Sequence, residues 1–160
     1  MGRYYNTQTG KEGKFWFAVQ PSDDPRTVYH MGEVEPDDEW DEESEYSDSY
    51  TDYESADAEK IKKHLDEQYD ILGVPKEERK YKCENEGKYV WEDLTKYYLT
   101  EKEPPKDEAY KVIGYYMGED KPTMYPISSE KELAASRVQL GLVIYNTILT
   151  EGICMLNAEN

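Results

Sequence analysis

The chain has 160 residues and a formal net charge of −17, from 36 acidic residues against 19 Lys and Arg. Hydrophobic residues make up 37% and charged residues 34%, enough for one modest core, so residues 1–160 are expected to form a single domain. So acidic a chain lacks the basic footprint that phosphate backbones require, and anionic membrane surfaces repel it, so neither direct nucleic-acid binding nor membrane binding is expected.

Residues 3–6 (RYYN) and 14–20 (KFWFAVQ) read as two strands, joined by a loose hairpin loop containing Gly10 and Gly13. Phe15 and Phe17 alternate with Trp16 and Ala18, so both faces of the second strand are apolar. Pro21 and Pro25 end it, because neither can donate a ladder hydrogen bond. Residues 26–31 (RTVYHM) predict a third strand with Val28 and His30 on one face.

The acidic insert follows, at about residues 33–59. It holds 14 Asp and Glu and no Lys or Arg, leaving 22 acids against 19 bases in the rest of the chain. The charge is therefore one block, and its carboxylates repel one another unless they are solvated, spread over a surface or covered by a cationic partner. Trp40, Tyr46, Tyr50 and Tyr53 interrupt it, and such rings supply rigid contact area and cation–π faces for Lys and Arg. The candidate partner-binding residues are Asp37, Asp38, Glu39, Trp40, Asp41, Glu42, Glu43, Glu45, Tyr46, Asp48, Tyr50, Asp52, Tyr53 and Glu54. A solvated acidic loop is the plainer alternative. Within the block, Tyr46, Asp48 and Tyr50 alternate with Ser47, Ser49 and Thr51 as in a strand, and Tyr53 breaks the alternation.

Ser55 as N-cap, Asp57 and Glu59 in the first turn and Gly73 at the end bound the first long helix. Ile61, Leu65, Tyr69 and Leu72 form its apolar stripe, and Lys60, Lys62 and Lys63 flank it, placed to fold back onto the acidic block. After Pro75, Val90, Trp91, Leu94, Tyr98 and Leu99 fit a short helix; Ala109, Val112, Ile113 and Tyr116 fit another, ended by Gly118. Residues 121–127 read as an irregular connection. The last helix starts at the Ser129–Glu132 capping box, with Leu133, Val138, Leu142, Tyr145 and Leu149 on its buried side. Residues 138–149 are apolar almost all round, as in a central core helix, and 153–158 read as a strand pairing with the N-terminal sheet. The expected fold is α+β: an N-terminal antiparallel sheet, three to four helices and a C-terminal strand.

Catalytic and metal motifs are sparse. His30 and His64 stand at no metal-ligand spacing with Cys83 or Cys154, and there is no GxSxG, Walker A or GxGxxG sequence. A Cys83–His64 nucleophile pair rests on residue types alone. Residues 48–59 have the length of a Ca²⁺ loop, but Tyr50 stands where a ligand oxygen belongs and Tyr53 where the turn needs Gly. No cofactor, no metal and no enzymatic activity are expected. The two cysteines form no CxxC pair, the start of the chain lacks the apolar run of about 7–15 residues of a signal peptide, and no stretch approaches the roughly 18 apolar residues of a span. A cytoplasmic location is expected.

The opening MGRYY, with GKFWFAVQPSDD at residues 13–24, resembles small proteins encoded by large DNA viruses, phages and related mobile genomes. The likeness covers about the first 24 residues and, more loosely, the last 30; it leaves out the acidic insert. It implies a viral setting, inside a host cell, and no chemistry. Together with the acidic block, it leads to an expected anti-defence inhibitor: a surface imitating nucleic acid that binds a basic, nucleic-acid-binding host protein such as a restriction or CRISPR-type effector. An acidic chaperone or adaptor for a histone-like or structural protein is the alternative, and an unrecognised enzyme the third reading.

Overall fold

A computed structural model of the chain describes residues 3–9, 15–17, 24–34, 50–82, 91–101, 115–116 and 123–159. Their elements are β1 (Arg3–Thr7), β2 (Phe15–Phe17), α1 (Asp24–Thr27), β3 (Gly32–Val34), β4 (Tyr50–Ser55), α2 (Ala58–Leu72), a 3-10 turn (Lys76–Glu78), α3 (Trp91–Tyr98), β5 (Leu99–Thr100), β6 (Tyr115–Tyr116), β7 (Thr123–Pro126), α4 (Ser129–Glu151) and β8 (Cys154–Glu159). The fold is α+β, with an antiparallel sheet, helices and a C-terminal strand. Five strands lie in the order β2-β1-β8-β4-β3, each antiparallel to its neighbour, and β5-β7-β6 form a smaller sheet. The C-terminal strand joins the N-terminal sheet, but at its centre.

Strand alternation sorts the large sheet into two faces. Thr7, Leu156 and Tyr53 lie in one register row, and Tyr5, Ala158 and Thr51 in the next. These rows face the helices, and Tyr5, Tyr53, Leu156 and Ala158 are buried there. The stripe of α2 (Ile61, Leu65, Tyr69 and Leu72) is buried in the same core, together with Val138, Leu142 and Ile144 of α4. On α4, Leu133 and Tyr145 are only partly buried, and Leu149, expected on the buried side, is 44% exposed near the helix end.

Both long helices start one or two residues away from the expected caps. Ser55 is the last residue of β4, paired with Cys154, so Asp57 caps α2 instead and accepts from the Lys60 N–H at 3.1 Å. Ser128, extended, caps α4 by accepting from the Lys131 N–H. The cap falls before Ser129 because the Ile127 N–H donates to the Tyr98 carbonyl, which fixes Ile127 in the preceding connection. Gly73 and Gly152 end the two helices at φ 80° and 84°, where a residue without Cβ is favoured.

Three other expectations change. Residues 26–31 are not a strand: α1 occupies Asp24–Thr27, and the Val28 and Tyr29 N–H groups both donate to the Asp24 carbonyl. Tyr29 and Met31 are buried rather than the Val28–His30 face. Tyr115 and Tyr116 form β6 against Met124 and Thr123, not a helix end, so residues 123–126 are a strand rather than an irregular connection; residues 109–114 lie outside the described residues. Leu99 leaves its helix to pair with Pro126 in β5.

A buried ion pair explains the turn at α1. Asp24, fully buried, takes the Arg137 guanidinium on both oxygens, with Nε and Nη2 at 3.0 and 3.1 Å. The Tyr29 hydroxyl donates to the Arg137 carbonyl. Its ring occupies the space that Gly141 leaves open: a Cβ there would sit 2.6 Å from the ring Cζ. Burial, and then the charge of Asp24, hold the Tyr29 pKa well above the usual phenol value. The turn is thereby fastened to the middle of α4. If α4 is the frame, Leu142→Ala should lower stability by about 2–5 kcal/mol in denaturant titration. A change within about 0.5 kcal/mol, typical of surface positions, would contradict that.

Candidate partner-binding site

The acidic block divides between a strand and a connection. Val34 closes β3, Tyr50 opens β4, and Val34 pairs with Asp52. Residues 35–49 are therefore the connection of an antiparallel hairpin. They contain nine Asp and Glu and no Lys or Arg. Asp37, Asp38, Glu39, Trp40, Asp41, Glu42, Glu43, Glu45, Tyr46 and Asp48 lie there, outside the described residues. Paired Cα atoms in such a ladder stand about 4.5–5.5 Å apart, so the chain leaves β3 at Val34 beside Asp52, and β4 begins two residues before that pair, at Tyr50.

The other four candidates lie on β4. Tyr50 is in register with Glu159. Asp52 is half-buried on the face away from the helices and accepts from Asn157 Nδ2 at 2.7 Å. Glu54 is exposed on that same face. Tyr53 is corrected: at 2% exposure its ring belongs to the core, because its register partner Leu156 faces the helices. It holds the strand rather than a partner. β4 also runs through the middle of residues 48–59, which therefore do not fold as a Ca²⁺ loop.

The outer face of the sheet mixes polar and apolar positions, with Val34 of β3 in register with Asp52. Asn6, Asn157 and Asp52 lie in one row across β1, β8 and β4. Gln8 fastens the edge of this face, its Oε1 accepting from the Met155 N–H at 2.8 Å while its Nε2 donates to the Ile153 carbonyl at 2.7 Å. Met155 is 44% exposed. At the edge strand, Glu33 pairs with Arg26 at 3.8 Å, both side chains about half exposed. Lys62, expected to turn toward the acidic block, has its Nζ over the Tyr81 ring, 4.7 Å from the centroid.

A second polar cluster escaped the sequence reading. Arg79, with its side chain 6% exposed, bonds Asp66 at 3.3 Å, Asp70 at 2.5 Å and the Val74 carbonyl at 3.0 Å. The Tyr81 hydroxyl donates to Asp66, and the Tyr69 hydroxyl to the Lys80 carbonyl at 2.5 Å. The signal was the i, i+4 spacing of Asp66 and Asp70 just before a helix end, followed by an arginine. Desolvation, then the bond to Asp66, push the Tyr81 pKa up to about 12. A phenol so firmly protonated is a poor nucleophile at neutral pH, and Asp66 already accepts two donors. The cluster clasps residues 79–81 to α2, and Asn146 Nδ2, donating to the Tyr81 carbonyl at 2.8 Å, ties them to α4.

Of the residues weighed for nucleophilic chemistry, His64 meets His30, Cys154 is buried in β8, and Cys83 lies outside the described residues. Among the described residues there is no cluster of three or more His, Cys, Asp or Glu able to hold a metal ion, and no helix long and apolar enough to cross a membrane. No protein-family model, no curated protein and no solved structure matches the chain.

The phenol of Tyr81 gives a pH test of the clasp. Its pKa is raised from 10.0 to about 12 on folding, so its contribution to stability is complete below about pH 10 and is lost as the pH rises toward 12, where unfolded tyrosine ionises first. Urea midpoints should fall over that window, and Tyr81→Phe should lessen the fall. An identical alkaline profile in the variant would show that the hydroxyl is not held as described.

Proposed function

We propose that the protein is an acidic decoy that occupies the nucleic-acid site of a basic, nucleic-acid-binding host protein, a restriction or CRISPR-type effector in a viral setting. One observation carries this reading. Nine carboxylates and two of the interleaved aromatics, Trp40 and Tyr46, sit in a connection whose ends are paired within an antiparallel sheet. Duplex DNA offers one negative charge per about 1.7 Å of axis, and imitating it takes carboxylates at high density on a folded support. Pinned ends favour a decoy over a wrapping chaperone, because the ordering entropy that a long tail would lose on binding is already partly spent.

The roles divide by chemistry. Asp37, Asp38, Asp41, Glu42, Glu43 and Glu45 supply the field that steers a cationic groove toward the protein. Trp40, Tyr46 and Tyr50 supply stacking and cation–π contact once water is expelled. Asp52 and Glu54 extend the negative charge onto the outer face of the sheet.

Competition tests this directly. A purified effector of this class, loaded with its own DNA or RNA, should release the nucleic acid as the protein is added. The effect should weaken with salt, since exposed charges are screened within about 8 Å at physiological ionic strength. Changing the six steering carboxylates to Asn and Gln should slow association more than it speeds dissociation, whereas Trp40→Ala should chiefly raise the off-rate. Simultaneous binding of protein and nucleic acid, undisturbed by the charge changes, would contradict the decoy reading.

A further inference from the structure

Met155 is one of three large apolar side chains exposed among the described residues. Ile127 lies in a connection and Leu149 near a helix end, whereas Met155 sits on β8, the central strand of the five-stranded sheet. Its chain neighbours Cys154 and Leu156 are buried on the face toward the helices. Strand alternation turns Met155 the other way, where it is 44% exposed.

The residues beside Met155 leave it open and place charge next to it. Gln8 turns both its amide atoms onto the β8 backbone, at the Met155 N–H and the Ile153 carbonyl. On the other side, Glu54 is exposed and in register with Met155, and Gly32 is in register with Glu54. Gly32 puts no side chain beside Glu54; a Cβ there would stand 3.8 Å from the Glu54 carbonyl oxygen, an ordinary van der Waals contact. Asp52, two residues back along β4, is half-buried on the same face and oriented by Asn157 Nδ2 at 2.7 Å. Same-face residues two apart on a strand are about 6.5–7 Å apart. Asp52 and Glu54 thus present two carboxylates at the side-chain repeat of an extended chain.

We propose that this outer face seats an extended, basic segment of a partner protein, with Arg or Lys at alternate positions. Laid along β4 and β8, such a segment brings successive cations to Glu54 and Asp52, because its side chains recur at that same repeat. The aliphatic stem of one cation lies on the Met155 thioether. Long cationic side chains cover apolar surface in this way while their heads stay in water, and a methionine adapts to irregular contacts. Arg suits the site better than Lys, since its planar fork donates twice to one carboxylate. Charge decides the occupant. A second copy of this chain, itself at −17, would bring carboxylates against carboxylates, and nucleic acid is repelled for the same reason. The inference rests on the partner being basic, as in the proposed function, and adds to the acidic connection a contact area whose residues the sheet places.

Methionine-methyl NMR on the full-length protein tests it, with a short peptide of alternating Arg and Ser as the probe. On titration at about 0.15 M salt, the Met155 methyl signal, assigned by its loss in Met155→Leu, should shift. That of Met31, in the core, should stay in place. Glu54→Lys should weaken binding about three- to tenfold. Glu77→Lys, which changes the net charge equally but on the exposed 3-10 turn, should weaken it by less than about twofold. Gly32→Trp should cover the face and suppress the Met155 shift; if it disturbs the Met31 signal and hence the fold, Glu54→Lys decides. An unshifted Met155, whether or not the peptide binds elsewhere, would overturn the proposal, as would equal weakening by Glu54→Lys and Glu77→Lys. Either result leaves the decoy reading to its own test, competition with nucleic acid. A Met155 signal that moves with protein concentration in the absence of peptide would assign the face to a second copy and overturn the proposal too.

Discussion

The sheet exists because β8 lies between two hairpins. β1 pairs with β2 and β4 with β3, and β8 bridges the two pairs, meeting β1 over Tyr5 to Thr7 and β4 over all six residues from Tyr50 to Ser55. A lone hairpin is marginal in water, so each depends on this final strand. Its position is set by α4, whose left-handed cap at Gly152 reverses the chain so that Cys154 can pair with Ser55. β1 and β8 therefore meet in the sheet through contacts of very long sequence separation, which makes late sheet closure the expected order of folding.

That arrangement has a consequence for the charge. A block of like charges gains nothing from compaction, so whatever holds its ends must come from apolar burial elsewhere. β4 carries both functions on alternate residues: Tyr53 faces the core, whereas Asp52 and Glu54 face outward. The Asp24–Arg137 pair and Tyr29 do the same for the approach to β3, fastening it to α4. Removing either partner of such a pair strands a buried charge, the usual reason why these pairs matter more when broken than when absent.

The helices were the legible part of the fold. The 3.6-residue stripe of α2 and the apolar run of α4 announce themselves, because each helix needs only its own periodicity and a core to bury it. Their caps were harder, since the choice of Asp57 over Ser55 and of Ser128 over Ser129 follows from pairing with β8 and with Tyr98. The turn at α1 was out of reach: it depends on Arg137, far along the chain. So were β6 and β7, two- and four-residue strands whose pairing to each other takes Tyr116 out of the helical spacing it fits in the sequence. For the candidate site, the density of charge could be read directly, whereas the strand that anchors it and the burial of Tyr53 required the register of β8.

Whether the sheet grips the acidic segment in the unbound protein is tested most directly by hydrogen exchange of the β4 amides, residues 50–55, at neutral pH. Over Asp52–Glu54, where β4 is paired on both sides, the amides should exchange as slowly as those in the middle of α4, through global unfolding. Near-unprotected exchange across β4 while α4 stays protected would mean that the acidic segment is not anchored, and would contradict the account.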